Sequence, residues 1–433
     1  LNNMNNLPPF VRLFLLPLVA TASLLSAPVP GAPADQAPDD ITVLHLGLHE
    51  VRTTKHTASG VAVVPMWSVP VSRRGDPEEP VPAANVEHHV VWAATDRSEG
   101  AYNHFSALCC HKDRLFAMWA NHWFGEYGPG QRALFSSSGD GGKTWSATAP
   151  LFPPPGPIGH SGETGIYLTP DRWVTLGDRL YAVANVVSNE TNYLIAREVR
   201  EGGGLGPVFL VKELPEKAEL PVFMPEPCDL KAQSPEALSI RKWYADNGVA
   251  SWWGAGLPRT AADKAHMIEP VRYRAGDGVP VLIQRSMPVT KSDPQNNHRL
   301  YVSFGDSSGG WSVPQPTDIP DSPSRSEVIT LNKGTYLLIG NHIARQLDRW
   351  DGYLPRDPLT VALSRDGYSF DRVFSVRAKA PTQPRFSGLR RRCPGFGYPS
   401  SVIFHGYLCI LYSIGKEDIS LSRVPLSSLG ISQ

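Results

Sequence analysis

Four Asn-His dipeptides punctuate this sequence: Asn103-His104, Asn121-His122, Asn297-His298 and Asn341-His342. An imidazole can donate or accept a proton near neutral pH. A neighbouring amide can orient the ring or bind a polar ligand. His104 opens one apolar run and His122 closes the next, so the two would meet at one end of adjacent strands. The repetition suggests several imidazoles or amides facing one cleft, with Asn103, Asn121 and His342 as substrate contacts. Charges that interrupt apolar segments are the second signal. Arg197 shares a strand face with Ile195, while Arg285 in VLIQRSMPV and Glu269 in HMIEP sit where charge is costly. A guanidinium in such a place can grip a carboxylate with its planar fork. Glu163, in HSGETG, can bind sugar hydroxyls or merely close a turn; together with Glu269 it would make a pair suited to acid/base hydrolysis.

Metal signals are weak. His45 and His49 fall in an expected strand and turn, where a spacing of four does not bring imidazoles together, and His88-His89 would point to opposite faces. No cofactor is expected to be required, and a structural metal ion stays open. Five cysteines, Cys109, Cys110, Cys228, Cys393 and Cys409, are too few for a disulfide scaffold, although one or two bridges remain open.

The elements that must carry these residues are strands. Runs such as RLFAMWANHW, RLYAVANVV, TNYLIAREV, VPVLIQRSM, TYLLIGNHIA and YLCILYSIG are short, rich in aromatic and β-branched residues, and bounded by turn formers. One helix is expected within the insert spanning 234 to 247. Balanced charge, 41 Lys+Arg against 41 Asp+Glu, excludes a strongly basic duplex binder, so no nucleic-acid partner is expected. Residues 1–34 read as a secretory signal: Arg12, the apolar run Leu13 to Leu25, then small residues around Ala32-Pro33-Ala34. The expectation is a secreted monomer without stable membrane insertion, residues 35–433 forming one domain.

Ser138-Gly139-Asp140-Gly141-Gly142-Lys143-Thr144-Trp145 fits the pattern S-x-D-x-G-x-[TS]-W. Asp140 can close a turn on backbone N–H groups, glycines supply positive φ, and Trp145 can plug a gap between sheets. Degenerate copies surround Asp306 with Trp311 and Asp366 with Phe370. The Asp306–Asp366 interval is 60 residues and the Asp140–Asp306 interval 166, about three units of roughly 55 residues. Over the 399 residues after the leader, that spacing predicts an all-β, seven-bladed β-propeller, with six blades as the alternative.

The octapeptide is identified as an Asp-box of sialidase-like propellers. The tail, with Gly397-Tyr398-Pro399-Ser400-Ser401, His405-Gly406-Tyr407-Leu408 and Lys416-Glu417-Asp418-Ile419, resembles the ending of propellers that attack uronate-containing polysaccharides. Those are ulvan lyases, rhamnose–glucuronate lyases acting on arabinogalactan side chains, and related rhamnosidases. The resemblance runs from about residue 42 to the end and implies β-elimination on an acidic polysaccharide or arabinogalactan side chain. It makes Arg197 the carboxylate binder, His104 or His122 the proton carriers, and Tyr181 or Tyr244 the assisting phenol. Tyr398 takes a rim position near substrate. Arg390-Arg391-Arg392 make a basic patch that could meet such a glycan or simply be solvated surface.

An α-L-rhamnosidase-type hydrolase and a noncatalytic carbohydrate-binding propeller are the alternatives. A sialidase proper would show an F/Y-R-I-P arginine, two further arginines clamping a carboxylate, and a Tyr–Glu nucleophile pair. No F/Y-R-I-P precedes the Asp-box, which speaks against it.

Overall fold

The computed structural model describes residues 41–57, 59–69, 80–188, 191–214, 220–224, 229–247, 257–287, 298–331, 334–342, 356–388 and 393–432. The leader, Cys228, Asn297 and Arg390-Arg391-Arg392 lie outside the described residues. Antiparallel sheets dominate, and five of them are blades of a propeller. Blade I comprises Tyr102–His111, Arg114–His122, Arg132–Ser138 and Ala149–Pro150; blade II, Ile166–Leu176, Arg179–Ser188, Thr191–Val199 and Phe209–Leu210. Blade III holds His266–Arg274, Pro280–Met287, Arg299–Phe304 and Gln315–Pro320; blade IV, Glu327–Leu331, Thr335–Gly340, Leu359–Ser364 and Phe370–Arg377. Blade V is Phe396–Phe404, Tyr407–Ile414 and Asp418–Pro425, completed by the N-terminal strand Glu87–Ala93. That last pairing closes the ring by joining a strand that precedes blade I to the last blade.

The count is five blades, not the seven expected nor the six held as alternative. Asp140 and Asp306 follow the third strands of blades I and III, so the 166 residues between them hold two blade repeats instead of three. The excess is the 55-residue connection 211–265. It includes the helix Pro235–Asp246, started by Ser234 accepting the Ala237 N–H at 3.2 Å and by Pro235 in the first turn. The described residues before Val81 add no blade: Thr42–Leu46 and His49–Thr53 form a separate hairpin whose turn bonds Gly305 (Leu48 N–H to Gly305 O, 2.9 Å).

Four blade junctions are held by shared apolar clusters. Phe116, Met118, Phe135 and Trp173 join I to II. Ile283, Val302, Phe304, Leu338 and Ala362 join III to IV; Leu337, Val361, Leu408 and Tyr412 join IV to V; Leu115, Trp119, Leu411 and Leu421 join V to I. The II–III junction differs. Blade II buries Val174, Tyr181 and Val183 against Ile240 of the helix, and blade III buries Met267 and Tyr301 against Ala261 and Ala265. The insert therefore occupies a seam in which the two blades would otherwise pack, which is why its length mimicked another repeat.

The Asp-boxes work as local staples. Asp140 accepts Thr144 Oγ1 (2.6 Å) and Thr144 N–H (2.9 Å), and Ser138 Oγ accepts Gly142 N–H at 2.8 Å. A Cβ on Gly142, at φ +89°, would overlap Leu421 Cδ2 of blade V. Asp366 likewise accepts the N–H groups of Tyr368 (2.7 Å) and Ser369 (2.9 Å), so the third copy is a working box and not an ordinary hairpin turn.

Candidate functional site

The innermost strands of blades I, II, III and V carry a β-bulge near their start, at Phe105-Ser106, Asp171, Glu269-Pro270 and Tyr398-Pro399. An extra residue re-aims a side chain out of the pleat. Phe105 (φ +55°), Glu269 (φ +52°) and Tyr398 (φ +58°) sit in the left-handed region. That conformation costs a residue with a Cβ on the order of 1–2 kcal/mol, strain that packing must hold in place.

Two of these bulges put their side chains together. Tyr398 Oη donates to Glu269 Oε1, and Arg285 binds both partners, Nε to Glu269 Oε2 at 2.5 Å and Nη2 to Tyr398 Oη at 3.2 Å. The Arg356 guanidinium lies 5.0 Å from the Tyr398 ring centroid and donates from Nη2 to Pro323 O at 3.2 Å. Its Nε and Nη1 are buried with no hydrogen-bond partner among the described residues. Burial alone would raise the Glu269 carboxyl, but Arg285, reinforced by Tyr398 and Arg356, holds it below its ordinary value. Burial and the adjacent Glu269 charge push the Tyr398 phenol well up. The pair thus rests as a neutral phenol whose proton is shared with an ionised carboxylate.

His104 packs against Tyr398 with ring centroids 4.1 Å apart, and its Nδ1 is 2.7 Å from Ser413 Oγ. Burial and the surrounding Lys416, Arg356, Arg285 and Arg325 keep it neutral. Its Nε2 is buried without a partner among the described residues. Nearby, Lys416 and Glu126 form a buried ion pair at 2.8 Å. The Asp321 carboxyl is fully buried, and burial pushes it well above the carboxylate range despite Arg285, the Ser324 backbone N–H and Arg356. A small pocket of about 30 Å³ adjoins this cluster, lined by Phe105, Tyr127, Thr169, Asn185, Ile268 and Glu269 among others.

Of the residues singled out from sequence, His104, Arg285 and Tyr398 come together, with Glu269. His122 is elsewhere in its hydrogen bonding: Nδ1 accepts the N–H groups of Phe124 and Gly125 (both 3.2 Å) and Nε2 donates to Pro129 O (3.1 Å), which occupies both ring nitrogens. Asn103 and Asn121 bond each other (2.8 Å), Gly100 O and, from Asn103, Glu417 O, so they fold the loop before blade I. Arg197 spends its donors on the carbonyls of Gly206 and Leu151, bracing blade II against blade I. Tyr181 packs in the core facing the helix, and Tyr244 donates to Asp171 on blade II. His342 is buried in blade IV beside Pro320 O (3.3 Å), its ring pushed down to about 4 by burial. Glu163 accepts the His160 N–H at 2.9 Å and closes that turn. The set Arg197, His104, His122, Tyr181 and Tyr244 is therefore not assembled around one point.

Arg356, Asp321 and the Glu126–Lys416 pair were not anticipated as site residues. Arg356 and Asp321 stand in Pro-rich connections, LPRDP and IPDSP, with no periodic context to mark them as buried. Tyr398 with Glu269 was open to discovery by one signal, a charge or phenol followed by proline at the head of an apolar strand. Among the described residues no cluster of three or more His, Cys, Asp or Glu side chains could hold a metal ion, and no helix is long and apolar enough to cross a membrane.

A family model described as a BNR repeat-like domain matches residues 223–410. No curated protein matches the chain. Among solved structures it is similar to a sialidase at 18% identity and a TM-score of 0.58, covering 84% of this chain and 35% of that one. The chain thus spans about a third of that sialidase's length. It is also similar to a protein of unknown function from Dyadobacter fermentans (10% identity, TM-score 0.48, 78% of this chain and 99% of that one). A third match is Trypanosoma rangeli sialidase in complex with 2,3-difluorosialic acid (12% identity, TM-score 0.47, 80% and 60%). Together with the Asp-boxes and the radial sheets, the family match and the first structure identify the fold as that of sialidase-like, BNR-repeat β-propellers.

Proposed function

We propose that this protein is a glycoside hydrolase acting on a carboxylate-bearing glycan, with Tyr398 as nucleophile and Glu269 as the base that activates it. The observation that carries the reading is the Tyr398–Glu269–Arg285 network, built on two strained bulges from different blades. A phenol is a poor nucleophile until its proton can leave, and Glu269 is already positioned to take it. Attack of Tyr398 Oη on the anomeric carbon would form a glycosyl–tyrosine bond as the glycosidic C–O bond breaks, with Glu269 taking the phenolic proton and the departing oxygen taking a proton from solvent. Water would then add its hydroxyl to the anomeric carbon and release its other proton to solvent, as the tyrosyl C–O bond breaks and Glu269 returns the phenolic proton to Tyr398. Most retaining enzymes place a carboxylate in the attacking position, and tyrosine is a known exception. A neutral attacker suits a negatively charged sugar, because an anionic one would meet its substrate with like-charge repulsion. Arg356, with donors open beside the Tyr398 ring, and Arg285 are the groups suited to the substrate carboxylate. His104 would support the Tyr398 ring from behind.

Elimination is less well supported, since Arg197, His122 and Tyr244, three of the groups expected to run it, are engaged at separate places. The test offers aryl glycosides of sialic acid, glucuronic acid and rhamnose, and a rhamnose–glucuronate polysaccharide, to the purified protein. Product is followed by proton NMR. Saturated sugar released with retained anomeric configuration is expected. Unsaturated uronate as the product, or retained turnover in Tyr398→Phe, overturns the reading.

A further inference from the structure

The bulge of blade II, at Asp171, lies outside the Tyr398–Glu269 network. The extra residue turns the Asp171 carboxylate out of the pleat, and it is buried. Tyr244 Oη from the helix of the insert, Arg172 Nε at 2.7 Å and Asn185 Nδ2 at 3.2 Å all donate to it. Asn185 stands on the strand Arg179–Ser188, where Tyr181 and Val183 on the same face belong to the core. Alternation would put another apolar residue at position 185. An amide stands there instead, 4% exposed and lining the pocket beside Glu269.

A carboxylate paired with an arginine accepts hydrogen bonds and cannot donate them, so the nitrogen end of the Asn185 amide must face Asp171. Its Oδ1 is the polar atom left for the pocket, with no hydrogen-bond partner among the described residues. Thr169, directly across from Asn185 in the sheet, lines the same pocket. Its Oγ1 accepts Gln131 Nε2 at 3.2 Å, which leaves its own hydrogen to be donated. Acceptor and donor thus stand side by side, while Phe105, Val187 and Ile268 supply apolar walls. A hydroxyl group is the sugar substituent that donates and accepts at once. The volume agrees: about 30 Å³ is one water molecule's share of the liquid, too small for an acyl group.

We infer that Asn185 selects the substrate, its Oδ1 accepting and Thr169 Oγ1 donating a hydrogen bond to one ring hydroxyl of a uronic-acid residue, with Asp171 and Tyr244 holding the amide in that sense. The inference rests on the carboxylate-bearing glycan reading above and names the sugar at that site. Tyr398→Phe protein, which cannot turn over by the proposed route, is titrated calorimetrically with methyl β-D-glucuronide and its three monodeoxy derivatives, each lacking one ring hydroxyl. One derivative should bind at least tenfold more weakly than the parent, because it leaves a buried amide oxygen unpaired. Asn185→Leu, close in size and without the acceptor, should weaken parent binding about tenfold and make the parent and that derivative bind alike. Tyr244→Phe keeps Asn185 and lies behind Asp171; it should narrow the ratio between the two ligands by roughly twofold or more, a readout that a merely structural tyrosine would not move. Equal affinity for the parent and all three derivatives overturns the inference. So does a ratio undiminished in Asn185→Leu or, where that protein does not fold, in Tyr244→Phe. No measurable binding of the parent overturns it too, because the pocket then takes no glucuronide hydroxyl. Turnover plays no part in these titrations, so an inactive wild-type enzyme would refute the nucleophile assignment and leave Asn185 to be judged on binding.

Discussion

Replacing Glu269 by Gln tests the proposed chemistry at its tightest point. The carboxylate balances the buried Arg285 guanidinium at 2.5 Å and accepts the Tyr398 proton. Removing one member of a buried ion pair typically costs about 3–5 kcal/mol, because the remaining charge loses its counter-ion in a poorly solvated place. Against a total of about 5–15 kcal/mol for a folded domain, that loss should be plain in a denaturant titration. Turnover should fall by about 10²–10⁴, the usual contribution of a positioned general base. Those two losses have separate origins, and a second variant separates them. Glu269→Gln combined with Arg285→Met removes both charges, which should recover most of the stability, since an uncharged pair of similar volume carries no desolvation penalty. Activity should stay lost, because neither the base nor the carboxylate grip is present. If kcat returns together with stability in the double variant, the network is scaffolding and the nucleophile assignment is wrong.

Three further outcomes follow from the packing. Gly142→Ala places a Cβ on Leu421 at φ +89° and should lower stability by about 1–3 kcal/mol, read as a lowered Tm; an unchanged Tm would mean the Asp-box turn is not fixed by blade V. His122→Ala should destabilise the protein by about 1–3 kcal/mol through the orphaned Phe124 and Gly125 N–H groups while kcat changes little, and a large kcat loss with normal stability would restore His122 to the chemistry. Glu327 carries a folded-state pKa of about 7 against an ordinary 4.5, so the folded state binds the proton more tightly. Stability should therefore fall by about 3 kcal/mol as pH rises through that window and level off above it. In Glu327→Gln that part of the pH dependence should vanish between pH ~5 and ~8 in urea titrations, and a profile identical to wild type would show that the group does not titrate there.

Strand positions were legible because alternation and turn residues are local properties. RLYAVANVV and TNYLIAREV pair as neighbours over nearly their whole length. The Asp140 box was legible for the same reason, since its hydrogen bonds close within a few residues. Dipeptides do not reveal partners that are distant in sequence. Asn121-His122 has the composition of a proton relay, yet its ring is consumed by three backbone groups of the following loop. Arg197 has the composition of a carboxylate clamp, yet it finds carbonyls on its own blade and the next. A hydrogen-bonding side chain reveals its vacancy only when every neighbour is known, and those neighbours come from segments far away in sequence.

Blade count failed for a related reason, and the failure bears on function. Spacing between Asp-boxes measures the repeat only if nothing else lies between them. The 211–265 connection does lie there, and its helix and the segment ending at Ala265 take up the apolar faces that blades II and III would otherwise share. The pocket beside Glu269 lies next to that seam, lined from blades I, II and III. Pruning the insert to a short connection should uncover Val174, Tyr181 and Val183 of blade II and Met267 of blade III, and lower the Tm. A shortened protein with an unchanged Tm would show that the insert does not cover those faces.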